Sequence, residues 1–185
     1  MKEYIDSVEK CLGEKNYYAA LFIALSIPDI CGKLETPRIS NGPRAKRWFT
    51  ENLKDKYFPD FCYDHLMATN PDAANAMHVE QLELLKQQPF NNKFDEKTFW
   101  KLRCAFLHEA SDWAGGIKIH LTHGVSHMIM YNGALQLSAD RLCRDIANAA
   151  TDWLERVKDD PIILERINNV AAINNVIMGG LVRFD

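Results

Sequence analysis

The first part of the chain has the apolar spacing of amphipathic helices. Between Tyr17 and Glu35 the apolar residues recur at steps of three and four, which places them on one face of a helix. Pro28 is expected to kink or break this helix, because proline removes a backbone donor and clashes with the preceding turn. The stretch Thr36 to Pro43 is rich in proline and glycine and is predicted to be a loop. A second helix is predicted to follow it, with Pro43 near the first turn.

The middle of the chain predicts two more helices. Asn70, Pro71 and Asp72 form a suitable cap and first turn for one of them. Asp95 is expected to cap the other, which runs to Ala110 and is ended by Gly115 and Gly116. Its residues are apolar nearly all round, so we expect this helix to lie centrally in the fold.

The remainder of the chain predicts a small hairpin followed by two helices. Residues 117–121 alternate between apolar and polar, and 128–131 is a short apolar run, as in two paired strands. Ser138 is expected to cap a long amphipathic helix, and Asp160 with Pro161 to begin a last helix. The buried face of the long helix is predicted to contain Leu142, Ile146, Ala149, Trp153 and Val157.

Composition supports one globular domain. The 185 residues are 47% hydrophobic, enough for a full core, and no repeat or linker divides the chain, so we predict a single mainly α domain over residues 1–185 with a small β-hairpin. The N-terminus lacks the pattern of a signal peptide and the apolar runs are short for a membrane span, so a cytoplasmic protein without membrane segments is expected. The odd set of five cysteines, without a C-x-x-C pair, predicts reduced thiols.

The strongest chemical signal is a pair of polar residues in the apolar helix that ends near Ala110. Arg103 and His108 stand five residues apart in the segment from Leu102 to Ser111. Both side chains are costly to bury, so they must either pair inside the fold or face a site. In one interpretation the pair is structural: Arg103 forms an ion pair with Asp29 or Glu35, and His108 bonds a backbone carbonyl.

Positive charge is concentrated early in the chain, although the net charge is −3. The segment from Lys33 to Lys56 contains seven basic and three acidic residues, which gives it a local charge of +4. This segment, and in particular Arg44, Lys46 and Arg47, is the best candidate for contact with an RNA backbone. A solvated helix face is the alternative interpretation.

Metal and cofactor signals are weak. His120, His123 and His127 cluster in the sequence, but their spacing fits no zinc pattern, and strand alternation would place His120 and His123 on opposite faces. There is no glycine-rich phosphate loop. We therefore expect no metal site and no cofactor.

The segment from Leu102 to Ser111 resembles the Arg-x4-6-His motif of the HEPN superfamily of all-helical domains. Members are common among bacterial toxin, abortive-infection and CRISPR-associated ribonucleases. The segment from Ala24 to Glu35, and the segment Lys46-Arg47-Trp48-Phe49, are also similar to the early helices of bacterial members of this length. The resemblance covers about two thirds of the chain and implies a HEPN-like helical bundle.

The resemblance implies a metal-independent endoribonuclease of a toxin, phage-defence or stress system. Cleavage by the internal 2′-hydroxyl needs proton transfer, which His108 can perform, and stabilisation of phosphate charge, which suits the planar guanidinium of Arg103. On an ideal helix the two residues point about 140° apart, so the arginine must swing round, the helix must distort, or two subunits must each contribute one residue. Family members typically dimerise, so that each subunit contributes residues to one cleft. A homodimer, RNA and an antitoxin or regulatory protein are the implied partners.

Cys104 departs from the family pattern, because active members usually carry Asn, Asp or His directly after the motif arginine. It leaves open an alternative function, a catalytically inactive HEPN-like module that binds a nucleotide or a protein. Cys104 lies four residues before His108, so a Cys-His nucleophilic pair is conceivable, although a buried cysteine acting as a small hydrophobic residue is favoured. Asp29 and Glu35 are the acidic residues expected to orient Arg103.

Overall fold

The computed structural model describes residues 1–91, 94–171, 176–177 and 182–183. These residues are mainly helical and include a small mixed sheet, so the predicted fold class is confirmed at this level. The helices are α1 (Lys2–Gly13), α2 (Tyr17–Ala24), α3 (Ile27–Glu35), α4 (Asn41–Tyr57), α5 (Cys62–Thr69), α6 (Pro71–Asn75), α7 (Val79–Gln87), α8 (Glu96–Glu109), α9 (Ala139–Val157) and α10 (Pro161–Asn168). The strands are β1 (Trp113–Ala114), β2 (Ile117–Thr122), β3 (Ile129–Tyr131), β4 (Ala134–Ser138), β5 (Val176–Ile177) and β6 (Val182–Arg183).

Four helices begin at the caps that the sequence predicts, namely α6, α8, α9 and α10. The Asp95 carboxylate accepts a hydrogen bond from the Thr98 backbone N–H at 2.8 Å, at the start of α8. The Ser138 hydroxyl accepts one from the backbone of Arg141 at 3.4 Å, at the start of α9. The Asp160 carboxylate accepts two from the first turn of α10. Each cap satisfies backbone donors that have no partner within the helix.

The core is organised around α9, and the prediction that α8 lies centrally is wrong. α9 packs against α1, α2, α3, α4 and β4, and the five residues predicted for its buried face are all buried. α8 contacts α4 and β1 and leaves Lys101, His108 and Glu109 exposed. The strict amphipathic spacing of α9 allows it to bury one whole face, whereas the charged residues of α8 keep one side of that helix in water.

The helix predicted over Tyr17 to Glu35 is divided, as expected from Pro28. α2 ends at Ala24 and α3 begins at Ile27, with Pro28 in the first turn of α3, where its missing N–H costs nothing. By length and composition this 19-residue segment could cross a membrane, but half of the apolar window is buried inside the fold. Two short, half-buried helices are typical of a globular core.

The sequence analysis did not predict α1 and α5. In α1 the buried residues Ile5, Val8 and Leu12 have the helical spacing of three and four, a signal that was present in the sequence. α5 has no buried residue, so its apolar pattern carries little information. The single helix predicted after Asn70 is divided into α6 and α7, and Asn70 caps the first of them as predicted.

The prediction of a hairpin between residues 117–121 and 128–131 is wrong. The strands of the larger sheet lie in the order β1-β2-β4-β3, and β4 separates β2 from β3. β4 pairs parallel with β2 and antiparallel with β3. The turn between β3 and β4 is Asn132-Gly133, and both residues have a positive φ. This dipeptide is a strong signal for a β-hairpin. It indicates a strand after residue 133, which is β4, although the alternation of apolar and polar residues did not predict that strand.

Gly115 and Gly116 do not end α8. The helix ends at Glu109, and Ala110 caps it in the left-handed conformation with a φ of 50°. The two glycines form the turn between β1 and β2, where both have a positive φ. Glycine suits this turn because it has no Cβ to clash at a positive φ.

A polar network lies between α4, α9 and the larger sheet. The Asp145 carboxylate accepts hydrogen bonds from the Tyr57 hydroxyl at 3.0 Å and from the Lys56 ammonium. The His127 ring stands edge-on to the Tyr57 ring, and its Nδ1 accepts a hydrogen bond from the Ser138 backbone N–H at 3.1 Å. Burial lowers the pKa of His127 to about 4; Arg141, His65 and Lys56 act in the same direction, whereas Asp145 opposes it.

We expect His127 to make the folded state less stable in acid. Between pH 6.5, the ordinary pKa of histidine, and about pH 4 the unfolded chain takes up a proton at His127 that the folded chain does not, so stability falls as the pH falls. The loss from pH 7 to pH 4.5 should be about 2 kcal/mol for this group. Urea denaturation at both pH values measures it. His127→Asn should lose less stability than the wild type, and His78→Asn on the exposed surface should behave as the wild type; equal losses in all three proteins would contradict the expectation.

Candidate functional site

Arg103 and His108 of α8 meet within one chain, although the arginine is largely buried and the histidine is exposed. Arg103 Nη1 lies 3.3 Å from His108 Nε2. The arginine side chain spans the roughly 140° between the two positions by reaching along the helix, which is one of the solutions expected from the spacing. Since a guanidinium only donates hydrogen bonds, Nε2 is the acceptor in this contact. His108 itself is exposed.

Asp29 of α3 lies between two arginines. Its carboxylate accepts a hydrogen bond from Arg44 Nε at 2.7 Å, and Arg103 Nη2 lies 3.8 Å from its other oxygen. We refer to Asp29, Arg44, Arg103 and His108 as the Asp29 cluster. Two guanidinium groups share one carboxylate, so the cluster retains an excess of positive charge next to the exposed imidazole.

Packing holds Arg103 in place. Its guanidinium carbon lies 5.0 Å from the centre of the Trp100 ring, in the arrangement of a cation–π contact. Gly42 of α4 packs against the same indole, where a methyl group would lie 3.2 Å from the ring. The Arg103 side chain is 13% exposed, and its Nε has no hydrogen-bond partner among the described residues. The arginine is therefore preorganised without having all its donors satisfied.

The approach of α3 to α4 positions Arg44 against Asp29. Gly32 allows this approach, because a methyl group there would lie 2.9 Å from the Arg44 carbonyl oxygen. Arg44 also donates to the Asp29 carbonyl and to the Ile39 carbonyl. Arg44, which the sequence suggests as an RNA contact, is thus part of the cluster beside Arg103 rather than on the open surface.

The structure places Glu35 away from Arg103. Its carboxylate accepts hydrogen bonds from Trp153 Nε1 at 2.6 Å and from Arg47 Nη2 at 3.3 Å. Of the two acids considered for Arg103, Asp29 is the one beside it. Arg47 also donates to the Thr36 hydroxyl and lies 3.5 Å from Glu51, so its charge is largely balanced. Lys46 is half-buried and has no ion-pair partner among the described residues.

Cys104 is half-buried and free, like Cys11 and Cys62, while Cys31 and Cys143 are buried. Among the described residues no hydrogen bond joins Cys104 to His108, so the geometry offers no support for a Cys-His nucleophilic pair. Burial raises the pKa of the Cys143 thiol to about 12 and also raises the pKa of Cys31, which keeps both thiols protonated.

The three histidines that cluster in the sequence have separate environments. His120 is bonded to Gln136 at 3.0 Å, His123 stacks on Tyr17, and His127 accepts from the Ser138 backbone. In residues 1–91 and 94–171 no group of three or more His, Cys, Asp or Glu side chains is arranged to hold a metal ion.

An aromatic cavity of about 590 Å³ opens beside the end of α8. It lies where α2, α8, the end of β2 and the start of α9 meet, and its walls include Tyr17, Tyr18, Phe106, Asp112 and His123. The sequence analysis did not predict this cavity. Adjacent aromatic residues at positions 17 and 18 were visible in the sequence, but only the tertiary structure brings them against residues about 90 to 105 positions away.

No protein-family model, no curated protein and no solved structure matches this chain. The chemistry available to the site follows from its own geometry. The unpartnered Nε of Arg103 is buried, so a phosphate oxygen would meet the terminal nitrogens of the guanidinium, and the exposed imidazole beside them can accept or donate a proton.

Proposed function

We propose that the protein is a metal-independent endoribonuclease of HEPN type, with Arg103 and His108 as its catalytic residues. The observation that supports this most is the 3.3 Å contact between a nearly buried, preorganised guanidinium and an exposed imidazole. A phosphate is the natural ligand for excess positive charge in this position, and the imidazole is suited to move a proton at neutral pH.

In the proposed reaction the 2′-hydroxyl of the RNA attacks the adjacent phosphorus. The bond from the 2′-oxygen to phosphorus forms, the bond from phosphorus to the 5′-oxygen breaks, and the products carry a 2′,3′-cyclic phosphate and a 5′-hydroxyl. His108 accepts the proton of the 2′-hydroxyl or delivers one to the 5′-oxygen. Arg103 stabilises the negative charge that builds on the non-bridging oxygens. Asp29 and Trp100 hold the guanidinium ready, so that little reorganisation accompanies the reaction.

The resemblance extends the proposal to the protein's setting. A homodimer would bring two motifs to one cleft, so that the histidines of two chains could share the roles of acid and base. Lys46 and Arg47, on the neighbouring helix α4, would contact the RNA backbone. The proposed setting is a cytoplasmic toxin, phage-defence or stress system in which an antitoxin or regulatory protein controls the activity.

Cleavage of a mixed RNA substrate in EDTA tests the proposal. The wild type should cut RNA without added metal and leave 2′,3′-cyclic phosphate ends, which treatment with a cyclic phosphodiesterase and mass spectrometry identify. Light scattering should give twice 21.2 kDa for the active species. A folded protein that cuts no RNA, or one whose activity EDTA abolishes, would overturn the proposal.

A catalytically inactive HEPN-like binding module is the second candidate. Cys104, at the position where active members carry a polar residue, favours it, and so does the partial engagement of Arg103 with Asp29. In this case the Asp29 cluster would bind the phosphate of a nucleotide, or an acidic partner protein, without chemistry. Binding of a nucleotide by a folded protein that does not cleave RNA would favour this function.

A further inference from the structure

The aromatic cavity has the size and lining of a site for a small planar ligand. Its volume of about 590 Å³ lies within the usual range for small-molecule sites. Tyr18 is 77% exposed, and its ring lies nearly parallel to the Phe106 ring, at 13° with 6.5 Å between the centres. Tyr17 on the adjacent wall stacks on His123. Aromatic faces that remain open to solvent are the surfaces on which nucleobases stack.

One wall of the cavity supplies an unused hydrogen-bond acceptor. The Asp112 side chain is exposed and has no hydrogen-bond or ion-pair partner among the described residues. A carboxylate only accepts hydrogen bonds, so it favours a base edge that donates them. The exocyclic amino group of cytosine is such a donor, whereas uracil presents a carbonyl oxygen at the same position.

Helix α8 links the cavity to the Asp29 cluster, because Phe106 lines the cavity and Arg103 belongs to the cluster. Phe106 lies three residues after Arg103, so the two side chains are neighbours on the helix surface. A base in the cavity would therefore lie about one helical turn along α8 from the arginine, on the same side of the helix.

We propose that this cavity is the base subsite of the enzyme and that it selects cytosine over uracil next to the cleaved phosphate. The inference rests on the proposed endoribonuclease function and adds the substrate preference of the same site. Tyr18 provides the stacking face, and Asp112 accepts the amino group.

Binding of cytidine and uridine, followed by NMR titration, tests the subsite without requiring cleavage. The wild type should bind cytidine about five- to tenfold more tightly than uridine, with chemical shift changes around Tyr17, Tyr18 and Asp112. Tyr18→Leu should weaken cytidine binding about tenfold, because leucine retains apolar surface but loses the aromatic face, whereas Tyr18→Phe should bind as the wild type. Asp112→Asn should remove the preference for cytidine. Both positions are exposed, so the variants should fold normally.

Equal binding of the two nucleosides, or shift changes away from the cavity, would overturn the inference, and so would a Tyr18→Leu variant that binds as the wild type. RNA cleavage separates this failure from that of the function. If the wild type cleaves RNA but cytidine does not bind in the cavity, only the subsite is wrong. If cytidine binds as expected but no RNA is cleaved, the endoribonuclease proposal and the subsite's place in it fail together, leaving a nucleoside-binding cavity.

Discussion

His108→Ala is expected to lower RNA cleavage in EDTA by about 100- to 10,000-fold, the usual contribution of a general acid or base. The expectation follows from the exposed position of His108 and from the contact of its Nε2 with Arg103 at 3.3 Å. Because the ring is exposed, the free energy of unfolding should change by less than about 0.5 kcal/mol. Single-turnover cleavage of a labelled RNA measures the rate, and urea denaturation measures the stability.

Glu109→Ala is the matched control for this variant. Glu109 is the next residue of α8, is also exposed, and has no side-chain hydrogen bond or ion pair among the described residues. The Glu109→Ala variant should cleave RNA at the wild-type rate. If His108→Ala cleaves RNA as fast as Glu109→Ala does, His108 has no catalytic role. A co-purified ribonuclease would then be the source of any activity.

Arg103→Lys should lower cleavage by about 100-fold or more while leaving the protein folded. Lysine keeps the positive charge but loses the planar fork that contacts two phosphate oxygens at once and the stacking on Trp100. The cost in stability should be only about 1 kcal/mol, because Asp29 keeps its shorter hydrogen bond, to Arg44 at 2.7 Å. The rate and the free energy of unfolding should therefore change by very different amounts.

Arg156→Lys provides the control for the change of arginine to lysine. Arg156 is exposed on α9 and bonds to Asn52, outside the Asp29 cluster. The Arg156→Lys variant should cleave RNA at the wild-type rate. A purely structural Arg103 would give the reverse pattern for Arg103→Lys, a clear loss of stability with an unchanged rate of cleavage, and would favour the binding module.

Local sequence signals predicted the helix starts most accurately. Asp95, Ser138 and Asp160 each cap the helix that the sequence assigns to them, because a cap depends on a side chain and the backbone two or three residues away. The pairing of β2 with β4 could not be predicted in the same way. It depends on a parallel contact between strands that β3 separates in the chain, and the alternation of 117–121 with 128–131 suggested a different partner.

The candidate site was predictable in part. The sequence identified Arg103 and His108 from an arginine and a histidine in an apolar helix, and it named Asp29 as one of two acids that could pair with the arginine. It did not identify Trp100 as the stacking partner or Gly42 as the residue packed against that ring, and it placed Arg44 with Lys46 and Arg47 as an RNA contact. The difference arises because the packing of α3 against α4, and of α4 against α8, decides which neighbours surround the guanidinium.

By itself the sequence determined the mainly helical class, the four capped helix starts, the buried face of α9 and the positions of Arg103 and His108 on one helix. These follow from spacing along one segment, where the geometry of a single helix relates each residue to the next turn. Only the tertiary structure decided that α9 rather than α8 is central, that Asp29 lies between two arginines, and that Tyr18 and Asp112 line one cavity. Such arrangements join residues far apart in the chain, and they depend on how side chains from several elements fill the same space.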